Sequence, residues 1–296
     1  MILLTALTSE GPRLAAKIHS GILILSQAEV LSPEGDNTLP LTLQECLSEP
    51  EGIETVRAYL QTAARRPDVN KLVIPEDKVR IARPFLPGNV ICVGLNYREH
   101  VREGGAEVPQ RPLLFAKLTT AMIGPGDPIT IPPDTNEVDY EAELAVVIGR
   151  RCRGASADEA LDYVAGYTCM NDVSARDFAR ADGQLVRAKS QDTFGPFGPF
   201  LVTRDEVPDP QALAIRCSVN GQVLQDSSTG DMIFPVRELI AFISRGITLV
   251  PGDVISTGTP PGCGFARKPP VFLQPGDEVV VEIDGIGRLS NPVSAH

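Results

Sequence analysis

The sequence contains no Cys-x-x-Cys pair, no basic run and no apolar run that approaches the length of a membrane span. Each absence removes a class of protein. The six cysteines are Cys46, Cys92, Cys152, Cys169, Cys217 and Cys263. They lack zinc or dithiol spacing, and most lie in apolar, strand-like segments where a thiol reads as a small core residue. Reduced thiols, and an apolar start Met1-Ile2-Leu3-Leu4 too short for export, give the expectation of a reducing compartment, the cytoplasm or the mitochondrion. A formal net charge of −11 without a basic run argues against a nucleic-acid partner, and no membrane partner is expected. The Gly-Lys-Ser/Thr ending of a phosphate loop is missing. Histidine is scarce, with three in 296 residues.

Gly and Pro are plentiful, 26 each, which favours short strands joined by turns. Pro-Gly-Asp occurs at 125–127, 251–253 and 275–277, each time before an apolar strand-like run, and Pro then Gly suits the centre of a type II turn. Short strands are expected at residues 1–8, 13–18 and 21–25, with helices over 41–47 and 52–64. A capping box at Ser156 to Glu159 predicts a helix to about Tyr163. Further helices are expected at 174–180 and 232–245. A soft boundary near residue 77 separates a section without reactive constellations from the rest.

The stretch from Asn136 to Asp172 carries the chemistry. Glu141 and Glu143 are two apart at the start of the apolar run 144–149, so in a strand both project from one face. Burying two like charges costs several kcal/mol each unless something compensates, and a divalent cation is the simplest compensation. Asp172, ending another apolar segment, offers a third oxygen. Three carboxylates without a nearby His or Cys favour Mg²⁺ or Mn²⁺, with Ca²⁺ less suited, over zinc. Taken alone, Glu-x-Glu also fits a solvated strand end. His100 and Glu103 face the same way on a short helix. They suit a general-base pair, and equally an ordinary surface ion pair. Arg176, one turn beyond Asp172, could balance carboxylates or bind an anion. Lys189 sits in an apolar, turn-rich context. The loop Ser256-Thr257-Gly258-Thr259-Pro260-Pro261-Gly262 has glycines that let backbone N–H groups approach a substrate carboxylate.

In order along the chain, Gly94–His100, Glu137–Gly149, Asn171–Asp177, Gly252–Gly262 and Arg267–Leu273 together resemble the fumarylacetoacetate hydrolase family over roughly residues 70–293. The similarity is greatest to the branch called fumarylacetoacetate hydrolase domain-containing protein 2. The resemblance implies an α+β chain: a mixed β-roll catalytic domain over 78–296, a small N-terminal α+β domain over 1–77, and assembly as a homodimer. It puts metal ligands at Glu141, Glu143 and Asp172, catalytic groups at His100, Glu103 and Lys189, and substrate contacts at Arg176, Gly258 and Thr259. The implied substrate is a small 2-oxo acid, bound with Mg²⁺ and processed through a stabilised enolate. The main expectation is C–C bond hydrolysis or oxaloacetate decarboxylation. Alternatives are keto–enol tautomerisation, a diacid isomerase or hydratase, and a catalytically silent metal-binding dimer. Two departures bear on the substrate: no acid precedes the His in Leu95-Asn96-Tyr97, and Ala179 stands where the founding hydrolase has a substrate-contacting Gln.

Overall fold

The computed structural model describes residues 1–19, 21–28, 39–66 and 68–296. The N-terminal part opens with a meander of β1 (Ile2–Thr8), β2 (Gly11–Ile18) and β3 (Gly21–Ile24). Helices α1 (Leu25–Ala28), α2 (Leu43–Ser48) and α3 (Gly52–Ala63) come after it, then two short strands, β4 (Val73–Ile74) and β5 (Ile81–Ala82). The middle of the chain supplies β6 (Val90–Gly94), α4 (Arg98–Glu103), β7 (Leu113–Lys117), β8 (Met122–Ile123) and β9 (Ile129–Ile131). Next come β10 (Val138–Asp139), β11 (Ala142–Ile148), β12 (Val164–Asn171) and β13 (Ser174–Ala175). Two helices, α5 (Arg176–Asp182) and α6 (Val186–Lys189), lead to β14 (Gly195–Thr203). The chain ends with β15 (Ala214–Val219), β16 (Gln222–Ser228), α7 (Val236–Ser244), β17 (Val254–Ser256), β18 (Glu278–Ile283) and β19 (Gly287–Ala295).

Strands dominate and the sheets are mixed, as the α+β expectation requires. The large sheet runs β4-β3-β2-β1-β14-β12-β11-β17-β6-β7, and a smaller one runs β16-β15-β18-β19-β9. Strands β17 and β6 pair in parallel, while β11 pairs antiparallel with both β12 and β17. Every residue of β11, β12 and β14 is buried. Their pleat splits the core in two. Leu144, Val146 and Ile148 join the cluster beneath the smaller sheet, with Ile215, Val279 and Val281. Ala145 and Val147 join the opposite cluster, with Val90, Cys92 and the N-terminal Leu3 and Leu14.

The three Pro-Gly-Asp turns share one construction. In each, the glycine has positive φ (78°, 85° and 97° for Gly126, Gly252 and Gly276). The Asp N–H closes onto the residue three back. The Asp carboxylate then accepts from that residue's own N–H, at 2.8 Å in all three cases. Only Asp253 is buried in full, and its other oxygen also accepts from Asn89 N and Nδ2.

Three helix expectations are corrected. Ser156 and Glu159 do exchange capping hydrogen bonds. The chain beyond them makes only a single 3₁₀ turn, Ala160–Tyr163, because the N–H groups of Gly149 and Arg150 bond to Tyr163 O and draw that residue into the sheet. The helix expected from Ser174 starts at Arg176, since Ser174 and Ala175 pair with Asp139 and Val138. The helix expected from Met232 starts at Val236. Pro235 biases the residue before it away from helical geometry, and Met232 bridges Tyr97 instead.

Asp253→Ala takes the buried acceptor from three part-buried N–H donors, so it should destabilise the protein by about 3 kcal/mol, against about 1 kcal/mol for Asp277→Ala in its more open turn. Urea denaturation of both variants checks this; equal losses would contradict it.

Candidate active site and metal centre

Strand register assembles the three carboxylates. Ala142 pairs with Asn171 and Glu143 with Met170. One step further, Asp172 N–H donates to Glu141 O, and Asn171 Oδ1 accepts from Glu141 N–H at 2.9 Å. The ladder thus sets Asp172 against Glu141 from a distant part of the sequence. The two-residue strand period brings Glu143 to the same face. Oxygens of Glu141, Glu143 and Asp172 lie within 4.8 Å of one another, and all three residues are buried.

Three cations surround them. Lys189 Nζ lies 2.6 Å from both Glu141 Oε2 and Asp172 Oδ2. Arg176 reaches Glu141 Oε1 at 2.5 Å and Asp139 Oδ2 at 2.8 Å. Lys117 Nζ is 2.8 Å from Asp172 Oδ1. It is poorly aligned with that oxygen, which is left buried without a hydrogen bond. Burial opposes the charge of Glu141, yet Arg176 and Lys189 more than offset it and hold the carboxyl at about 2. Glu143 has no cation in contact. Burial first, then the charges of Asp172 and Glu141, push it well above the usual carboxylate range, although Ser256 Oγ and Gly258 N–H donate to its Oε2 at 2.5 and 2.9 Å. Burial disfavours the charge on Lys189, but Asp172 and Glu141 outweigh it and raise the ammonium above its ordinary value.

Four buried carboxylates, counting Asp139, therefore face three cations. The carboxylate left without a cation in contact is Glu143. An all-carboxylate donor set with one negative charge to spare fits a hard divalent ion such as Mg²⁺ or Mn²⁺.

The His100–Glu103 pair stands beside this cluster. His100 is buried and close enough to Glu141 to favour its ionised form. Its Nδ1 is 3.6 Å from Glu103 Oε2, just beyond hydrogen-bond length, and has no other partner. Glu103 accepts from Gly262 N–H at 3.0 and 3.1 Å. Burial alone would raise its carboxyl; His100 and the Gly262 amide lower it instead. The Phe265 ring lies between the two halves of the site, 4.4 Å from the Arg176 guanidinium and edge-on to His100 at 6.1 Å.

Several side chains already have partners within the protein. Arg176 balances carboxylates rather than standing free. Thr259 Oγ1 donates to Ala142 O and accepts from Gln225 Nε2, and Gly258 N–H is bound to Glu143. Both loop residues thus brace the carboxylate strand. Lys189, read from sequence only as a lysine in unusual surroundings, is buried and doubly paired.

Sequence reasoning missed Lys117, Asp139 and Gln225. Lys117 is buried, bonded to Val173 O, Lys189 O and Phe194 O as well as facing Asp172. Its one signal is a charge closing an otherwise apolar strand. Asp139 sits two residues before Glu141, and the alternation that picked out Glu141 and Glu143 extends to it. Gln225 ties Ala142 N–H to Thr259 and Pro260 O across the fold, and nothing local marks it.

The family description "Fumarylacetoacetate (FAA) hydrolase C-terminal" matches residues 89–294. The chain is 43% identical over 288 residues to "Oxaloacetate tautomerase fahd2, mitochondrial" of Xenopus laevis, covering 96% of this chain and 87% of the relative. It is 47% identical over 260 residues to "Oxaloacetate tautomerase FAHD2A, mitochondrial" of Bos taurus, covering 86% and 81%. Among solved structures, a fumarylacetoacetate hydrolase from Exiguobacterium antarcticum superposes with a TM-score of 0.83 at 37% identity over all of both chains. A 5-carboxymethyl-2-hydroxymuconate delta-isomerase from Mycobacterium smegmatis does so with a TM-score of 0.76 at 35% identity, over 100% of this chain and 99% of the other.

Glu143→Gln keeps the acceptor for Ser256 and Gly258 but removes the ligand charge. Calorimetric titration with Mg²⁺ or Mn²⁺ should show binding weakened beyond the roughly 10–100-fold typical of losing a ligand's supporting partner. The melting temperature in chelator should hold or rise, because the substitution relieves repulsion. Unchanged metal affinity would remove Glu143 from the ligand set.

Proposed function

Since the chain belongs to the fumarylacetoacetate hydrolase family, we propose that it is a metal-dependent enzyme interconverting the enol and keto forms of oxaloacetate. The observation that carries this reading is the His100–Glu103 pair beside the carboxylate triad, in a chain so similar to proteins named oxaloacetate tautomerase. That likeness moves the weight from hydrolysis and decarboxylation to the reaction that breaks no carbon–carbon bond.

Glu141, Glu143 and Asp172 would hold the ion, and a divalent ion bound there would supply polarisation of a 2-oxo acid. The remaining work falls to side chains. In the enol-to-keto direction O2 gives up its proton to solvent water and C3 gains another. His100 Nε2 delivers the C3 proton and regains one from solvent, while Glu103 on the Nδ1 side fixes the ring and its tautomer. The 3.6 Å separation between them closes when substrate is bound, as catalytic contacts do on forming the substrate complex. Lys189 stays protonated beside Asp172 and Glu141, so it offers a fixed positive charge to the O2 oxygen rather than a proton in transit.

A second reading, hydrolysis of a short acylpyruvate, uses the same His100 to activate water. The likeness to the Exiguobacterium antarcticum hydrolase favours it. The working unit is taken to be a homodimer, with residues 1–77 as a structural domain. The relatives' names place them in mitochondria, and six unpaired cysteines suit that compartment or the cytoplasm equally.

Loss of enol absorbance from oxaloacetate, followed with Mg²⁺ and again with chelator while pyruvate is assayed in parallel, separates the readings. Metal-dependent loss of the enol without pyruvate is expected; pyruvate released in step would mean decarboxylation. Acylpyruvate supplied separately should be cleaved slowly or not at all. His100→Asn should lower the tautomerisation rate by about 10²–10⁴-fold, and an unaffected rate would remove His100 as the proton carrier.

A further inference from the structure

We propose that Asp139 is a positioning residue: it fastens the loop 262–267 and Arg176 to the carboxylate strand, and so holds the His100–Glu103 pair in place beside the triad. The inference rests on the catalytic role proposed above for that pair.

Asp139 is fully buried and accepts four hydrogen bonds. Its Oδ1 takes Gly264 N–H at 2.7 Å and Tyr140 N–H at 2.9 Å. Its Oδ2 takes Arg176 Nε at 2.8 Å and Phe265 N–H at 3.1 Å. Two oxygens offer about four acceptor sites, so the carboxylate is saturated. Two of its donors come from a loop far along the chain, 125 and 126 residues away.

That loop is what the catalytic pair rests on. Gly262 N–H is the backbone donor to Glu103. Phe265 fills the space between Arg176 and His100. Arg267 reaches back to Tyr140 Oη at 3.2 Å and to Gly262 O at 3.3 Å, so consecutive residues 139 and 140 grip both ends of the same segment. The fit is close: a Cβ on Gly264 would lie 1.8 Å from Val271 O and 2.7 Å from Asp139 Oδ1. Helix α4 has little else to hold its far end. It stops at Gly104 and Gly105, and the residues after it are exposed to solvent. Arg98 anchors only its beginning, on Asp231 O and Met232 O.

A carboxylate here has a second effect. Arg176 is shared between Asp139 and Glu141. Without the charge at 139 the guanidinium belongs to Glu141 alone, and the stacking surface beneath Phe265 moves with it. The loop and Arg176 are therefore set by one side chain that touches neither the reacting atoms nor the ion.

The test is a double-mutant cycle on tautomerisation with Asp139→Asn, Glu103→Gln and both together, with Mg²⁺ saturating. Each single change should lower kcat roughly 10–100-fold, the scale seen when a supporting group is lost, with KM changed much less. The double variant should be no slower than the slower single, because both act through His100. Hydrogen exchange should quicken in 98–105 and 262–267 of Asp139→Asn, with Mg²⁺ affinity kept within a few-fold. Multiplied losses in the double variant, or unchanged exchange in those segments, would overturn the inference while leaving the catalytic pair intact. Full activity of Glu103→Gln would instead sink the proposed role of the pair, and this inference with it. Should Asp139→Asn fail to fold, Arg267→Gln loosens the same loop by removing its bonds to Tyr140 Oη and Gly262 O, without touching the buried charge. It should also be non-additive with Glu103→Gln, and additivity would again overturn the inference.

Discussion

Repulsion among buried carboxylates is the constraint around which this molecule is built. Glu141, Glu143 and Asp172 are brought within 4.8 Å of one another at the end of a strand pair with no exposed residue. In so dry a place each unpaired charge costs several kcal/mol. The fold answers with Lys117, Lys189 and Arg176, drawn from the end of β7, the end of α6 and the start of α5. Those cations satisfy Glu141 and much of Asp172 but leave Glu143 uncovered. The remaining imbalance makes the cluster a place for a cation and keeps it from being a mere internal salt bridge.

The sheet architecture serves the same end. Parallel pairing of β17 with β6 sends two chain segments out of the sheet in one direction, one into the Ser256–Gly262 loop and one into α4. The antiparallel partner β11 starts at that edge with its carboxylates. Three segments far apart in sequence thus meet at one rim. Gln225 and Asn96 fasten them: Asn96 Nδ2 donates to Thr257 O and Phe234 O, and Gln225 spans Ala142 and Thr259. The candidate active-site face is a junction of loops fastened by buried amides.

Much of this is legible in the sequence. Glu141 and Glu143 announce themselves because a period of two is a local property, and the turns at 126, 252 and 276 because Pro-Gly-Asp carries its own geometry. The family resemblance adds a role for Lys189 and the pairing of His100 with Glu103. The hidden part depends on partners distant in sequence. Lys117 is an ordinary strand-ending lysine until Asp172, from another strand's end, is folded against it. Asp139 continues the acidic alternation, but its partners Gly264 and Phe265 lie far along the chain and are not marked there. The helix expected after Ser156 fails for a kindred reason: the capping signal is real, but a sheet hydrogen bond to Tyr163 overrides the helix it opens.

The uneven charge of the molecule has a consequence for how an anion finds its way in. The chain as a whole carries a formal −11, whereas a divalent ion at the carboxylate cluster would make that site locally positive. A dicarboxylate, the substrate class proposed above, would at first be turned away and drawn in only over the last few ångströms. Dissolved salt screens the outer repulsion, which acts beyond a Debye length of about 8 Å at physiological ionic strength, far more than it screens the buried attraction. Capture of such a substrate should therefore quicken as ionic strength rises, the reverse of the usual behaviour of enzymes that steer their substrates from afar.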